Sequence, residues 1–361
     1  MKINIIGAGP AGLYFAIDIK NKIPTAEITL YEKKAREAEN GLGYVIQQEL
    51  VQDLYQLDQE HIGELLEETS NQWNTAEIIA KEECLKIKFP LSAGLKRKTL
   101  ITYLQKLAEN RKIKINYNTI LTPNNIEELR RSADLLVGAD GIHSIVREQY
   151  KNHFEISTIN GSNSFLWLKT KNRREYMNIA LNEYKNNAYV TTSYPIGQDN
   201  TNCTILECNT KSLEETGFNN ENGLTNIRTA VAQSFFNVLS PYTIEEQQLR
   251  WLTNNLNNCN NLSFDNIALI GESGIFPHYS MGAGLTCTFV ASQHLADYIK
   301  QTDNTKEAIR IYNNTITPFL KNTQTQSLNK MKWLENINNH YKSLDGYDLI
   351  NSFRFSQGRK E

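Results

Sequence analysis

The stretch that decides the fold is residues 3–17, Ile-Asn-Ile-Ile-Gly-Ala-Gly-Pro-Ala-Gly-Leu-Tyr-Phe-Ala-Ile. An apolar run of strand type is followed at once by GxGxxG, and a second apolar run then opens a helix. Gly7 permits the turn, Gly9 lets the backbone approach a pyrophosphate, and Gly12 lets the helix pack closely on the strand. The helix N-terminus, where Ala11 lies, presents free N–H groups to a phosphate. Strand, turn and helix in this order predict a Rossmann-like dinucleotide site; the alternative is an ordinary glycine-rich turn.

A second strand, Ile28-Thr29-Leu30-Tyr31, ends at Glu32, which lies 20 residues beyond Gly12. An acid at this distance binds the ribose hydroxyls of the adenosine and repels a 2′-phosphate. The tightly bound nucleotide is therefore predicted to be NAD or FAD, not NADP. The cofactor site is predicted to include Glu32 and the adjacent Lys33.

Composition excludes several classes of protein. The chain has 361 residues, a formal net charge of −2 and 22% charged residues, so it has no basic footprint for nucleic acid. No apolar run approaches the roughly 18–20 residues that span a bilayer, and the first residues lack the pattern of a signal peptide. The five cysteines form no CxxC, so no metal site is predicted. We expect a cytoplasmic protein that binds neither nucleic acid nor membrane.

Two further glycine motifs follow the first. Residues 138–147 read Gly-Ala-Asp-Gly-Ile-His-Ser-Ile-Val-Arg, and residues 267–272 read Ile-Ala-Leu-Ile-Gly-Glu before a second glycine cluster. In order and spacing, the three motifs resemble those of the FAD-dependent aromatic hydroxylases, the single-component flavoprotein monooxygenases. The resemblance implies FAD as cofactor. The site residues that it adds are Gly43, Arg97, Asp140, Gly141, Gly271, Glu272, Gly282, Ala283 and Gly284.

Four shorter segments resemble one branch of that family, the violacein-pathway tryptophan-derivative hydroxylase and the salicylyl-CoA and aminobenzoyl-CoA hydroxylases. The segments are residues 41–45, 277–284, 332–336 and 348–354. The branch acts on bulky, indole-like or carrier-linked aromatic rings. One departure is Glu272, which stands where the family has Asp and whose extra methylene demands a small shift.

The predicted fold class is α/β, with a Rossmann-like FAD-binding domain, an inserted antiparallel β-sheet substrate domain and C-terminal helices. The FAD-binding domain is assigned to residues 1–70, 95–160 and 260–325. The substrate domain is assigned to 71–94 and 161–259, and the C-terminal helical segment to 326–361. Strand-like alternation within 163–212 indicates the antiparallel sheet, whose inner face would roof the flavin ring.

The resemblance implies hydroxylation by NADPH or NADH and O2 through a flavin hydroperoxide, with the nicotinamide cofactor bound only transiently. His278 is predicted as a base that accepts a proton from the substrate, because the pKa of imidazole lies near neutral pH; the alternative is a histidine that only holds a turn. An aromatic pocket is predicted from Trp167, Tyr189, Tyr194 and Tyr279. The protein is expected to be a monomer or homodimer. Another flavin reaction, such as halogenation, epoxidation or reduction, and a non-enzymatic FAD-binding protein stay open as alternatives.

Overall fold

The computed structural model describes residues 1–38, 41–235, 243–245 and 249–356. Its strands are β1 (Lys2–Ile6), β2 (Glu27–Tyr31), β3 (Gly43–Gln47), β4 (Trp73–Ala80), β5 (Glu83–Lys96), β6 (Lys114–Asn116), β7 (Leu135–Gly138), β8 (Ile156–Lys171), β9 (Met177–Tyr184), β10 (Asn187–Pro195), β11 (Thr201–Asn209), β12 (Thr243–Ile244), β13 (Leu252–Cys259), β14 (Ser263–Phe264) and β15 (Ile267–Leu269). Its helices are α1 (Pro10–Lys22), α2 (Gln48–Leu57), α3 (Ile62–Glu67), α4 (Arg97–Asn110), α5 (Pro123–Arg131), α6 (Ile145–Gln149), α7 (Lys151–Phe154), α8 (Ser212–Thr216), α9 (Gly223–Ser234), α10 (Gly284–Gln301), α11 (Thr305–Glu335), α12 (Ile337–Ser343) and α13 (Gly346–Phe355).

The first sheet has the strand order β14-β15-β7-β1-β2-β6, and its pairs are parallel except for β14 with β15. Strand β1 lies between β2 and β7 inside the sheet, and the alternate residues Asn4 and Ile6 are buried as well, so both of its faces are covered. Ile3 and Ile5 have no exposed surface, which explains why β1 is a continuous apolar run instead of an alternating one. The three glycine motifs follow β1, β7 and β15, so they meet at the same edge of this sheet.

The second sheet has the order β12-β8-β11-β10-β9-β4-β5-β3, and β13 also pairs with β8. Its pairs are antiparallel except for β4 with β9. The strand-like alternation predicted within 163–212 corresponds to most of β8 and to β9, β10 and β11. The α/β fold class, a parallel nucleotide-binding sheet joined to a largely antiparallel one, is confirmed.

The two sheets do not follow the predicted domain boundaries everywhere. Strand β3 pairs with β5 in the second sheet, and residues 156–160 of β8 pair with β13 there, although 1–70 and 95–160 were assigned to the FAD-binding domain. Ile196, which follows β10, packs against Gly43 on β3. A Cβ on residue 43 would lie 2.5 Å from Cγ2 of Ile196, so only glycine permits this packing. The division into domains otherwise stays a prediction.

The long helix α11 lies against β8, β11 and β13. Lys330, near the C-terminal end of this helix, lines a large cavity. Helix α13 brings Phe353 and Arg354 to the same cavity. Among the residues that the structure describes, no helix is long and apolar enough to cross a membrane.

Candidate functional site: two joined cavities

The first glycine motif forms a close turn between β1 and α1. Gly7 has φ +101°, a conformation that favours glycine, and its N–H donates to the Tyr31 carbonyl at 2.8 Å. A Cβ on Gly12 would lie 2.1 Å from the Gly7 carbonyl oxygen, so only glycine permits this helix to pack so closely. A Cβ on Gly9 would meet no protein atom within 4 Å, which leaves its backbone open to a ligand.

Glu32 closes one side of the loop. Its Oε2 accepts from the Ala8 N–H at 2.8 Å and its Oε1 from the Lys34 N–H at 2.9 Å. The carboxylate is held rigidly while lone pairs on its two oxygens stay available for ribose hydroxyls. This placement fits the role predicted from its spacing after Gly12.

Asp140 lies opposite, directly after β7. Its Oδ2 accepts from the Ile145 N–H at 2.7 Å, whereas its Oδ1 is buried without a hydrogen-bond partner. Burial raises the pKa of this carboxyl group. A buried acceptor without a partner is unfavourable unless a ligand completes it, so Asp140 is a fitting contact for a polar cofactor group. The adjacent Gly141 has φ +79°.

The three motifs enclose a cleft with a volume of about 280 Å³. A second, larger cavity of about 1720 Å³ lies under the second sheet. The two volumes meet, because they share part of their lining. The residues that line both are Tyr44, Arg97, Ile142, His143, Glu272, Gly284 and Leu285.

The predicted cofactor residues gather around these two volumes. The smaller cleft alone is lined by Gly7, Gly9, Ala11, Glu32, Lys33, Asp140 and Gly141. The larger cavity alone is lined by Gly43, Gly282 and Ala283, and Arg97, Glu272 and Gly284 line both. Gly12 and Gly271 line neither; a Cβ on Gly271 would lie 2.8 Å from Cβ of Ala11, so this glycine serves close packing.

Arg97 and Glu272 provide the charges at the junction. The Nε of Arg97 is buried without a hydrogen-bond partner. Burial raises the pKa of Glu272, and the positive charge of Arg97 opposes that shift. An unsatisfied guanidinium and a buried carboxyl group on one lining can both bind the polar groups of a dinucleotide, so the residues present fit FAD.

Aromatic side chains form one wall of the larger cavity. Tyr279 lies 4.9 Å from Phe165 and 6.1 Å from Trp167, measured between ring centroids. Tyr194 also lines the cavity, and its hydroxyl donates to the Gly43 carbonyl at 3.3 Å. Three of the four residues predicted for the aromatic pocket, Trp167, Tyr194 and Tyr279, are therefore brought together.

Tyr189 is the exception. It is fully buried against Phe218, and its hydroxyl donates to the Ala230 carbonyl at 2.7 Å. Tyr189 and Tyr194 lie five residues apart on β10, and an odd separation places two side chains on opposite faces of a strand. The prediction that Tyr189 lines the pocket is thus corrected: it packs on the face turned to α9.

His278 also differs from the prediction. The ring has no exposed surface and is absent from the described lining of both cavities. Its Nδ1 accepts from the Ser280 N–H at 3.3 Å, as a cap on the turn Tyr279–Met281. Burial, with a smaller effect of Lys330, lowers its pKa to about 3, so the assumption of a pKa near neutral is corrected.

Sequence reasoning missed Arg147, which ends the second motif. Its guanidinium is buried and donates to the Ser273 carbonyl at 2.8 Å and to the Ile142 carbonyl. Arg147 thereby joins the second and third motifs at the edge of the larger cavity. The sequence signal that could have identified Arg147 is its position within the second glycine motif, residues 138–147. Among the described residues, no group of three His, Cys, Asp or Glu side chains could hold a metal ion.

No family model matches this sequence. The chain is 22% identical over 354 residues to a salicyloyl-CoA 5-hydroxylase from Streptomyces sp, covering 96% of this chain and 67% of the relative. It is 24% identical over 369 residues to the protodeoxyviolaceinate monooxygenase of Chromobacterium violaceum, covering 98% and 94%.

Solved structures share the fold. A tetrameric form of 2-methyl-3-hydroxypyridine-5-carboxylic acid oxygenase aligns with a TM-score of 0.72 at 16% identity, covering 100% of this chain and 98% of that one. A Pseudomonas aeruginosa protein described as a probable FAD-dependent monooxygenase aligns with a TM-score of 0.73 at 13% identity, covering 93% and 97%.

A third relative, 22% identical over 324 residues, is the 3-hydroxy-4-methyl-anthranilyl-[aryl-carrier protein] 5-monooxygenase of Streptosporangium sibiricum, covering 90% of this chain and 86% of the relative. In sequence and fold the chain is thus similar to FAD-dependent monooxygenases, and the predicted resemblance to aromatic hydroxylases and the predicted enzyme class are confirmed.

Proposed function

We propose that this chain hydroxylates an aromatic ring that is bulky or carrier-linked, with FAD as cofactor and NADH or NADPH as a transient co-substrate. The single observation that carries the proposal is the junction of the two cavities at Arg97 and Glu272. A dinucleotide seated on the phosphate loop would pass this junction and place its ring system in the larger cavity. When bound, FAD would accept electrons from NAD(P)H and then react with O2.

The chain's own residues have four tasks. Glu32 and Asp140 hold polar groups of the nucleotide, and the open backbone at Gly9 admits the pyrophosphate. Arg97 and Glu272 bind polar groups of the cofactor where the two cavities join. The wall of Phe165, Trp167, Tyr194 and Tyr279 orients an aromatic ring and keeps water away from it.

The size of the larger cavity supports a bulky substrate. Its volume of about 1720 Å³ exceeds the 300–1,000 Å³ of an ordinary small-ligand site, even before a flavin ring is subtracted. Two of the relatives carry names with a CoA or aryl-carrier-protein substrate. An aromatic acyl group on a long carrier arm fits a cavity of this size and shape better than a free phenol does.

The experiment is an NAD(P)H oxidation assay on the purified protein. Salicyloyl-CoA, anthraniloyl-CoA, indole and salicylate are supplied in parallel, with acetyl-CoA as a control for the carrier alone. Stimulated oxidation with a hydroxylated product supports the proposal. A halogenated product formed with chloride or bromide supports the alternative, which the fold also allows, because the flavin-dependent halogenase CmlS aligns with a TM-score of 0.72. The absence of turnover supports a non-enzymatic FAD-binding protein.

A further inference from the structure

Glu207 on β11 is a buried acid to which the function proposed above assigns no task. It is 1% exposed and lies behind the wall of the larger cavity. Its Oε1 accepts from Asn163 Nδ2 at 2.8 Å, and its Oε2 accepts from the hydroxyl of Tyr279. A buried carboxyl group is unfavourable unless it is hydrogen-bonded, and here both oxygens have a donor.

The two partners of this bond lie in different parts of the chain. Glu207 belongs to the antiparallel sheet, whereas Tyr279 belongs to the turn that follows the third glycine motif. The hydroxyl of Tyr279 is hydrogen-bonded to Glu207, which does not line the cavity, so Tyr279 presents its ring to the cavity. Phe165 and Trp167 on β8 contact the same ring at 4.9 and 6.1 Å.

Several charged or titratable groups surround Glu207. The Nε2 of His278 lies 3.9 Å from its Oε1, but the low pKa of His278 leaves this ring neutral. Helix α11 contributes Lys330 and Glu335, and the neighbouring Cys208 lies on the same strand. Burial raises the pKa of Glu207 to about 7; the bonds from Tyr279 and Asn163 and the charge of Lys330 oppose this shift, and Glu335 adds to it.

We propose that Glu207 is a positioning residue that holds the Tyr279 hydroxyl, so that the rings of Tyr279, Phe165 and Trp167 form a fixed wall on which the substrate ring stacks. The part of this inference that concerns the substrate rests on the proposed function. An ionised acceptor makes a stronger hydrogen bond than a neutral one. The wall is therefore held more firmly when Glu207 is charged.

The first experiment needs no substrate. Trp167 emission is obtained as the difference between the protein and its Trp167→Phe counterpart, from pH 5.5 to 8.5. In the wild type, this emission should change in one transition centred near pH 7. The transition should vanish in Glu207→Gln, which cannot ionise, and in Tyr279→Phe, which has no hydroxyl to hold. A flat wild-type profile, or a transition that persists in either variant, would overturn the proposal.

The second experiment uses the aromatic compound that is hydroxylated in the NAD(P)H assay. Tyr279→Phe and Glu207→Leu should raise KM for that compound about three- to tenfold, the size of a lost aromatic contact, while FAD affinity is unchanged. Glu207→Gln should raise KM much less than Glu207→Leu does, because its amide oxygen still accepts a hydrogen bond. Adding Tyr279→Phe to Glu207→Leu should cause no further loss.

Tyr189→Phe is the matched control, since it removes a hydrogen-bonded tyrosine hydroxyl on the face of the sheet that is turned away from the cavity. It should leave KM unchanged. An equal rise of KM in Tyr189→Phe, or fully additive losses in the double variant, would contradict a positioning role. The fluorescence result is independent of turnover, so failure of the proposed function and failure of this inference can be told apart.

Discussion

The guanidinium carbon of Arg97 lies 5.1 Å from the centroid of the Tyr44 ring, and both side chains line the two cavities. Arg97 begins α4 and Tyr44 lies on β3, so the contact joins a helix of the nucleotide-binding part to the edge of the second sheet. A cation over an aromatic face is held in place by the ring quadrupole. The contact thereby holds the guanidinium, whose Nε has no hydrogen-bond partner, at the junction of the two cavities.

Arg97→Met should weaken FAD binding by about tenfold to hundredfold, the effect of losing a hydrogen bond to a charged group. The methionine keeps the length of the apolar stem, so the fold should be retained. Lys98→Met is the control, because Lys98 is the next residue of the same helix but is exposed. Flavin content and dissociation constants of the two variants check the prediction. Equal affinity in both would remove Arg97 from the site.

Gly9→Val should yield a folded protein without flavin. A side chain here meets no protein atom within 4 Å, so the fold has room for it, but it would fill the space in which the backbone meets the pyrophosphate. Gly12→Val should fail to fold, since its Cβ would lie 2.1 Å from a carbonyl oxygen. Circular dichroism and flavin absorbance separate the two outcomes. A yellow Gly9→Val protein with normal FAD affinity would show that the pyrophosphate lies elsewhere.

His278→Ala should lower stability by about 1–3 kcal/mol, because the partly buried Ser280 N–H loses its acceptor and the buried imidazole is removed. His278→Asn should recover part of that loss, since asparagine also caps a backbone N–H. Product formed per NAD(P)H consumed, counted per bound flavin, should stay near the wild-type value in the Asn variant. A stable Asn variant that releases peroxide instead of product would restore the catalytic role predicted from the sequence.

Glu207 should make the protein less stable as pH rises. An acid whose pKa is raised in the folded state holds its proton more tightly there than in the unfolded chain. Stability is therefore greatest below the unfolded value and falls as pH rises from 4.5 to about 7. A pKa shift of this size corresponds to a change of about 3 kcal/mol in the free energy of unfolding. Urea unfolding of the wild type and Glu207→Gln at pH 5 and 8 measures it; equal slopes with pH would show that Glu207 is not the group involved.

The sequence was most informative where a residue type is demanded by backbone geometry. Gly7, Gly12 and Glu32 could be placed because a turn, a close packing contact and a fixed spacing each allow few alternatives. The strands within 163–212 were equally predictable, since β-branched and aromatic residues alternate along them. Tyr189 and Tyr194 lie an odd number of residues apart on one strand, so the sequence already indicated that only one of them faces the cavity. Which of the two does so depends on how β10 packs and could not be predicted from that strand alone.

The contacts of Glu207 and the pKa of His278 could not be predicted from the sequence. Glu207 and Tyr279 are 72 residues apart, and only the packing of the turn against β11 brings them together. The pKa of His278 depends on burial by neighbours from other elements, so the prediction of a pKa near neutral was wrong. Lys330 lines the cavity because α11 packs against strands of the second sheet, a contact that the sequence of the helix does not indicate.

The most direct test of the central claim is the fate of molecular oxygen. The holoprotein is supplied with NADPH or NADH, the aromatic thioester that stimulates oxidation most, and oxygen labelled with ¹⁸O. Mass spectrometry should find one labelled oxygen atom in the aromatic product for each NAD(P)H consumed in coupled turnover. A protein that binds no FAD, or a product whose new oxygen comes from water, would contradict the account.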